Sequence, residues 1–503
     1  MNRILMLLIA FGLFSALVSA AESPEQAHMA LLQADDADDS DFEDEDEPDA
    51  SLDGGYMALS VGRYKAAKLE FKELLKADET NQQAAVGLAE TYRFTGSYKL
   101  GLKALGKVIK LVGDKTERKT LVTLSRLQFE TGDYASCTET IAQLLKADKQ
   151  DIDGLTLRGQ IEFEQGKYDV AEKTFNEVRP AIKAKRAGLL KRDTDKSTNQ
   201  PEVADLWTTA GVAYFMLNRL HDANDCWQNA LDADEYHQRA TAWLSRLSLE
   251  QNHASDVNVI YAGPYLRHNP NDPEVIWWTA QVDFSKWRSG AGLKKLRRAL
   301  KSNRSQPDIL AFRAVQYIGT DQYDEGAKDY NRALKINPRH TAALAAKGLH
   351  AKTLGLKELW DDANDTMRSI NKKPARFLEI IADGLSRRHR YQESLPLYKE
   401  ALEYNPKAWT IYKGQGMAAM NFGDDVLGKK SLQTAHKNDP IRNNMRTLNL
   451  LTLLDSYKNY KRIESKNGRW RLLIHKKEAH ILEDLYLEAL DACYDAQMKK
   501  YNF

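Results

Sequence analysis

Near the carboxyl end, the stretch GRWRLLIHKKEAHILEDL (468–485) places His475, Glu478 and His480 within six positions. Two imidazoles and a carboxylate can hold a zinc ion and activate its water. That chemistry needs both rings four residues apart on one helix face, with the glutamate beside the first. Here the histidines are five apart, about 140° around a helix, and Lys476 and Lys477 between them repel a cation. RWRLLIH (469–475) has a strand pattern and 478–501 a helical one, which separates the rings further. The expectation is no metal site and no catalytic residue.

Two other strings imitate phosphate chemistry. GDDVLGKKS (423–431) has the Gly-x4-Gly-Lys of a phosphate loop, but Lys430 stands where Ser or Thr would hold magnesium, and GQGMAA (414–419) imitates a dinucleotide fingerprint. Both would have to follow a strand and open a helix. They fall instead at regular small-residue positions of a helical repeat, so no cofactor is expected.

The elements that carry these strings are set by a repeat. SVGRYKAAKLEFKELLKAD (60–78), FTGSYKLGLKALGKVIKLV (94–112), ETGDYASCTETIAQLLKAD (130–148) and EQGKYDVAEKTFNEVRPAI (164–182) share Gly-x-Tyr, then a small residue, then an aromatic or aliphatic one. Their glycines, Gly62, Gly96, Gly132 and Gly166, are 34 to 36 residues apart. RALKINP, EALEYNP and TAHKNDP end at Pro338, Pro406 and Pro440, where proline stops one helix and sets the turn into the next.

These segments resemble tetratricopeptide repeats, the 34-residue helix-turn-helix unit. The resemblance implies an all-α fold, a right-handed α-solenoid of about eleven units with first positions near Pro48, Gln82, Arg118, Ile152, Ala204, Gln238, Pro273, Pro307, Thr341, Ala375 and Trp409. Unit six (Asn252, Val257) and unit nine (Trp360) depart most from the pattern. Small residues such as Gly55, Gly159, Gly211 and Ala67 let helices approach, and Phe71, Phe175, Trp227, Tyr330 and Tyr398 fill the seams. In this family the groove-facing positions are the second, fifth, ninth and twelfth of the first helix. The resemblance therefore implies a partner-binding set of Gln83, Glu90 and Arg93, of Lys119, Arg126 and Phe129, and of Gln160 and Phe163.

The ends differ from the body. Residues 1–20 have a basic start, an apolar run and small residues (Val18, Ala20) before Ala21, the pattern of a cleaved signal peptide. Eleven of residues 35–49 are Asp or Glu, a composition that does not collapse. Arg3 against thirteen carboxylates leaves residues 1–50 at −12, so the net +1 places +13 on residues 51–503. Cys137, Cys226 and Cys493 are too few and too scattered for a disulfide framework, and packing is their expected role. After Pro440, IRNNMRTLNLLTLLDSYKNY (441–460) reads as a capping helix. With ESKNGRW (464–470) and the helix beyond, it is similar to the junction in bacterial exported repeat proteins where a gluzincin-type, peptidase MA-like domain begins. That family's HExxH does not occur in this sequence, so the resemblance implies only the truncated start of such a domain.

The expected organisation is a signal peptide (1–20), a disordered acidic segment (21–50), units 1–4 (51–185), a linker (186–203) with hinge motion, units 5–11 (204–440), a capping helix (441–463) and a strand-helix segment (464–503). The expected function is a non-enzymatic, periplasmic or secreted scaffold of bacterial type that binds a protein or peptide in its concave groove. Nucleic acid and, after signal cleavage, an integral membrane segment are not expected. The alternative is the substrate-recruiting part of a metallopeptidase that lacks its catalytic region. Binding of an anionic envelope polymer to the basic body is a third reading.

Overall fold

A helix that is apolar along one stripe only must find a neighbour, and here the neighbours are copies of the same hairpin. The computed structural model describes residues 50–190 and 200–501. The signal peptide, the acidic segment up to residue 49 and residues 191–199 of the linker lie outside the described residues. Within them the repeat is built of paired helices, A and B. Units 1 to 4 are Leu52–Ser60 with Tyr64–Ala77, Gln82–Thr95 with Tyr98–Val112, Arg118–Glu130 with Tyr134–Ala147, and Ile152–Glu164 with Tyr168–Leu190. Units 5 to 7 are Pro201–Met216 with Leu220–Ala233, Gln238–Glu250 with a broken helix ending at His268, and Pro273–Ser285 with Ser289–Ser302. Units 8 to 11 are Pro307–Gly319 with Tyr323–Ile336, Thr341–Leu354 with Lys357–Ile370, Ala375–Arg387 with Tyr391–Tyr404, and Trp409–Phe422 with Asp425–Asn438. The fold is an all-α solenoid of tetratricopeptide type.

Local chemistry sets the ends of these helices. Asn81, Asp151 and Asp272 cap their A helices by accepting the N–H three residues on. Pro201, Pro273 and Pro307 open theirs, where a missing N–H costs nothing. Seams form as expected. Phe71 is fully buried between Gly55 of its own unit and Gly87 of the next, and a Cβ there would stand 2.6 and 2.3 Å from its ring. Trp227 sits against Gly211 in the same way. Cys137 and Cys226 are buried free thiols and Cys493 an exposed one.

The two irregular units have physical explanations. In unit 6, helix B breaks into Ala254–Asp256, a π-turn over Val257–Tyr261 and Ala262–His268. Pro264 follows the turn, and its missing N–H and ring clash disrupt the regular ladder. In unit 9, Trp360 is accommodated because Gly348 lies opposite, with Lys352 Nζ 3.9 Å from its ring centroid.

The carboxyl end departs from the expected single helix over 441–460. A shorter helix, Met445–Ser456, leads into strand β1 (Tyr460–Glu464), which pairs antiparallel with β2 (Arg471–His475), and a helix Ala479–Tyr501 follows. Gly468, at φ +70°, sits in the hairpin connection. Ile463, Ile474 and Ala479 form a small separate core.

The solenoid completes a turn and stacks on itself. Asn271 Nδ2 donates to Gly62 O (3.3 Å), Asn303 Nδ2 to Arg93 O (2.9 Å) and Asn337 Nδ2 to Glu130 O (3.1 Å). Tyr168 Oη donates to Lys373 O (2.6 Å), and Asn218 Nδ2 to Asn438 O (3.0 Å). The A–B turns of units 1, 2, 3 and 4 are therefore covered by the B-helix ends of units 6, 7, 8 and 9. In units 1 to 4 this contact leaves no room for a side chain at the turn. Gly62, Gly96, Gly132 and Gly166 have φ between +74° and +81°, and a Cβ on any of them would fall 2.1 to 2.3 Å from Asn269, Asn303, Asn337 or Asn371. The same left-handed position in units 5, 6, 7, 8 and 10 carries Asn218, Asn252, Trp287, Asp321 and His389. Units 1–4 thus stack on units 6–9 through these contacts, and residues 191–199 of the linker lie outside the described residues.

Candidate functional site

The A helices face inward, and their charged side chains meet in a polar interior. Arg93 bonds Glu90 (2.7 Å) and lies 3.7 Å from Glu130. Arg126 bonds Asp153 (2.8 Å) and approaches Asp205 (3.8 Å). Asp153 also takes Arg118 (2.7 Å) and the Thr209 hydroxyl (2.9 Å). Further along, Gln238 donates to Glu274 (2.7 Å), Arg376 to Glu379 (2.7 Å) and Lys413 to Glu250 O (3.3 Å).

A local device recurs twice. His237 and His340 cap the A helices of units 6 and 9, each Nδ1 accepting the N–H three residues on. That fixes the ring so that Nε2 faces a carboxylate in the first turns of an earlier A helix, Asp205 at 3.4 Å and Asp308 at 3.2 Å.

The electrostatics show that units distant in sequence share this interior. Burial raises Glu130 to about 7, and Glu90, Glu274 and Asp308 add to the rise against Arg93. Burial and the like charge of Arg126 lower Arg239 to about 10, against Asp205 and Asp153. Burial alone would raise Asp205, but the His237 hydrogen bond and the charges of Arg126, His237 and Arg239 hold it far below the usual carboxylate range. The interior is still wet: the side chains of Asp308 and Arg376 keep 54% and 58% of their surface open.

The expected groove residues divide. Glu90, Arg93 and Arg126 belong to the ionic interior, where their charges are answered by the chain itself. Phe129 and Phe163 pack against the tyrosines that open their B helices, Tyr134 at 5.6 Å and Tyr168 at 5.0 Å between ring centroids. Gln83 and Lys119 are exposed, with Tyr56 donating to Gln83 O (2.9 Å) and Lys119 Nζ 5.7 Å from the Tyr56 ring centroid. Gln160 is half-buried. The expected groove face is thus lined by ion pairs within the chain, and stacking joins the turns of units 1–4 to units 6–9. Residues the sequence reading did not select, Asp153, Asp205, Arg239, Glu274, Asp308 and Arg376, all stand second in their A helices by the repeat register. A charge at that position in eight of the eleven units, Asp49 and Lys119 included, was the available signal.

The strings that imitated chemistry are placed apart from this interior. His475 ends β2, its ring edge-on to Tyr460, and its Nδ1 accepts the Lys477 N–H at 3.4 Å. His480 is exposed on the last helix. Gly416 and Gly428 lie inside the helices of unit 11 and face Leu432 and Met420. Among the described residues, no group of three or more His, Cys, Asp or Glu is placed to hold a metal ion. No described helix is long and apolar enough to cross a membrane.

Comparison with known proteins gives the same class of unit. Residues 381–427 match the tetratricopeptide repeat family. The chain is 24% identical over 298 residues to Superkiller protein 3 of Schizosaccharomyces pombe, a match covering 56% of this chain and 20% of that protein. It thus spans about a fifth of the length of that relative. Among solved structures it is similar to yeast Tom70, at 13% identity and a TM-score of 0.37, over 80% of this chain and 88% of that one. The Cut9–Hcn1 hetero-tetramer of the APC/C matches at 13% identity and a TM-score of 0.29, over 80% and 95%.

Proposed function

We propose that this chain is an exported, non-catalytic scaffold that holds an extended polar segment of a protein partner along its interior. The observation that carries the reading is the run of inward charged side chains from unit 2 to unit 11, each already paired yet, at Asp308 and Arg376, still open to water. A guest must exchange those pairs for its own hydrogen bonds and charges of both signs. That favours a polar extended segment over an apolar helix. The tetratricopeptide match supports a protein as the partner.

A photo-crosslinking residue at 308 or 376, in the full chain in its native cells, tests this. Crosslinks from those positions to one discrete protein, absent when the probe sits at outward Glu139, are expected. No adduct, or the same adducts from all three positions, would contradict it. Export, to a periplasmic or extracellular site, is tested by the mature amino terminus, expected at Ala21.

A second reading, recruitment of substrate to a gluzincin-type peptidase, is favoured by the last helix, where Ile481, Leu485 and Tyr486 are 67%, 58% and 45% exposed. Its test is the intact mass of the native protein. A mass larger than 57.1 kDa by a whole domain, together with chelator-sensitive proteolysis, would replace the scaffold reading.

A further inference from the structure

The stacking of turns creates a surface that neither half of the sequence shows alone. Helix B of unit 7 lies within KWRSGAGLKKLRRALKSNR (286–304), eight cations without a carboxylate. Helix B of unit 2, YKLGLKALGKVIKLV (98–112), has four lysines and likewise no acid. The two meet end to end. Asn303 Nδ2, just past unit 7's last turn, donates to Arg93 O before unit 2's first, and Tyr98 Oη donates to Gln306. Their fourteen and fifteen residues make about 40 Å of helix. Leu296, Ala299, Leu105 and Val108 turn inward and are buried, which leaves the basic faces outside.

Part of this charge is answered. Asp283 takes Arg288 and Lys295, and Glu79 takes Lys107. Lys99, Lys103, Lys110, Lys294, Arg297 and Lys301 are exposed with no carboxylate partner among the described residues.

A second observation is independent of charge. Trp287, at the outer end of the unit 7 helix, is 86% exposed at φ +60°, a left-handed conformation that costs a bulky residue free energy. At the equivalent turn position units 5, 6, 8 and 10 have Asn218, Asn252, Asp321 and His389. Leu100 and Leu111, 47% and 50% exposed, lie on the same stripe of the unit 2 helix as Lys103 and Lys107.

We propose that this ridge lies against an anionic lipid surface. A linear polyanion would answer the lysines and leave Trp287, Leu100 and Leu111 in water. A membrane interface takes both, with headgroup charge for the cations and the indole at headgroup depth.

The test is co-sedimentation of the full chain with phosphatidylcholine vesicles, with and without phosphatidylglycerol. Binding to the anionic vesicles alone is expected, at least about tenfold tighter than to the zwitterionic ones and lost as salt rises toward about 0.5 M. Lys103→Glu/Arg297→Glu should weaken it about tenfold. The control Lys372→Glu/Lys399→Glu, equal in net charge, should leave it unchanged. Trp287→Ala should remove the blue shift in fluorescence that anionic vesicles produce. Equal loss in both double variants, indifference to lipid charge, or binding to soluble polyglutamate but not to vesicles would overturn the proposal.

Discussion

Single residues decide how closely the helices approach and how the interior titrates. Phe71 fills the seam between units 1 and 2 because two glycines make room for it. Phe71→Ala should cost about 3–5 kcal/mol, read by denaturant unfolding. Asp272, fully buried, caps unit 7 by accepting the Val275 N–H (2.9 Å) and receives the Tyr265 hydroxyl (3.0 Å). Burial raises it to about 6, assisted by the nearby Glu274. The folded chain therefore holds this proton more tightly than the unfolded one, and stability is lost as pH rises from about 4 to about 6. Asp272→Asn keeps the capping oxygen and removes the ionisation. It should flatten that limb and gain roughly 1–3 kcal/mol over the native chain at pH 7, with little difference at pH 3.5, in urea titrations at both pH values.

At the scale of elements, the repeat period, helix pairing, seam aromatics and the boundary prolines were all legible, because each is a local pattern with one geometric solution. The groove was not. Whether A helices line an open cleft or a covered interior depends on how small rotations between units accumulate over a turn, and no local pattern carries that sum. A trace was nevertheless written at the ends of the B helices. Asn303 and Asn337 each accept the N–H two residues on through Oδ1 and donate across to the adjacent turn through Nδ2. Asp78, Asp148 and Asp234 accept the same local N–H at 2.8 to 3.1 Å. At Asn303 and Asn337 an amide stands where a carbonyl is met, and at Asp439 a carboxylate where the Gln251 amide donates (3.1 Å). The turn glycines make a matched test. Gly355→Ala meets nothing within 4 Å and should cost only the left-handed backbone term, about 1–2 kcal/mol. Gly96→Ala meets Asn303 at 2.3 Å as well and should cost measurably more in parallel melts.

For the whole molecule, stacking makes a long solenoid more cooperative than nearest-neighbour contacts alone would. Asn303→Asp/Asn337→Asp keeps both local turns but sets carboxylates against Arg93 O and Glu130 O. Each lost bond with a buried repulsion behind it costs about 1–3 kcal/mol. Thermal unfolding should then split, units 1–4 melting before the remainder, whereas the native chain melts in one step. A single unchanged transition in the variant would mean that these amides do not couple the turns. The covered turns also decide what a partner can reach.

The measurement that bears most directly on the account is the distance between spin labels at Lys99 and Arg304, residues on units 2 and 7 that only stacking brings together, in the full chain in solution. One short, narrow distribution, broadened or lengthened by Asn303→Asp/Asn337→Asp, is predicted. A long or broad distribution in the native chain would contradict the stacked solenoid and restore the open groove.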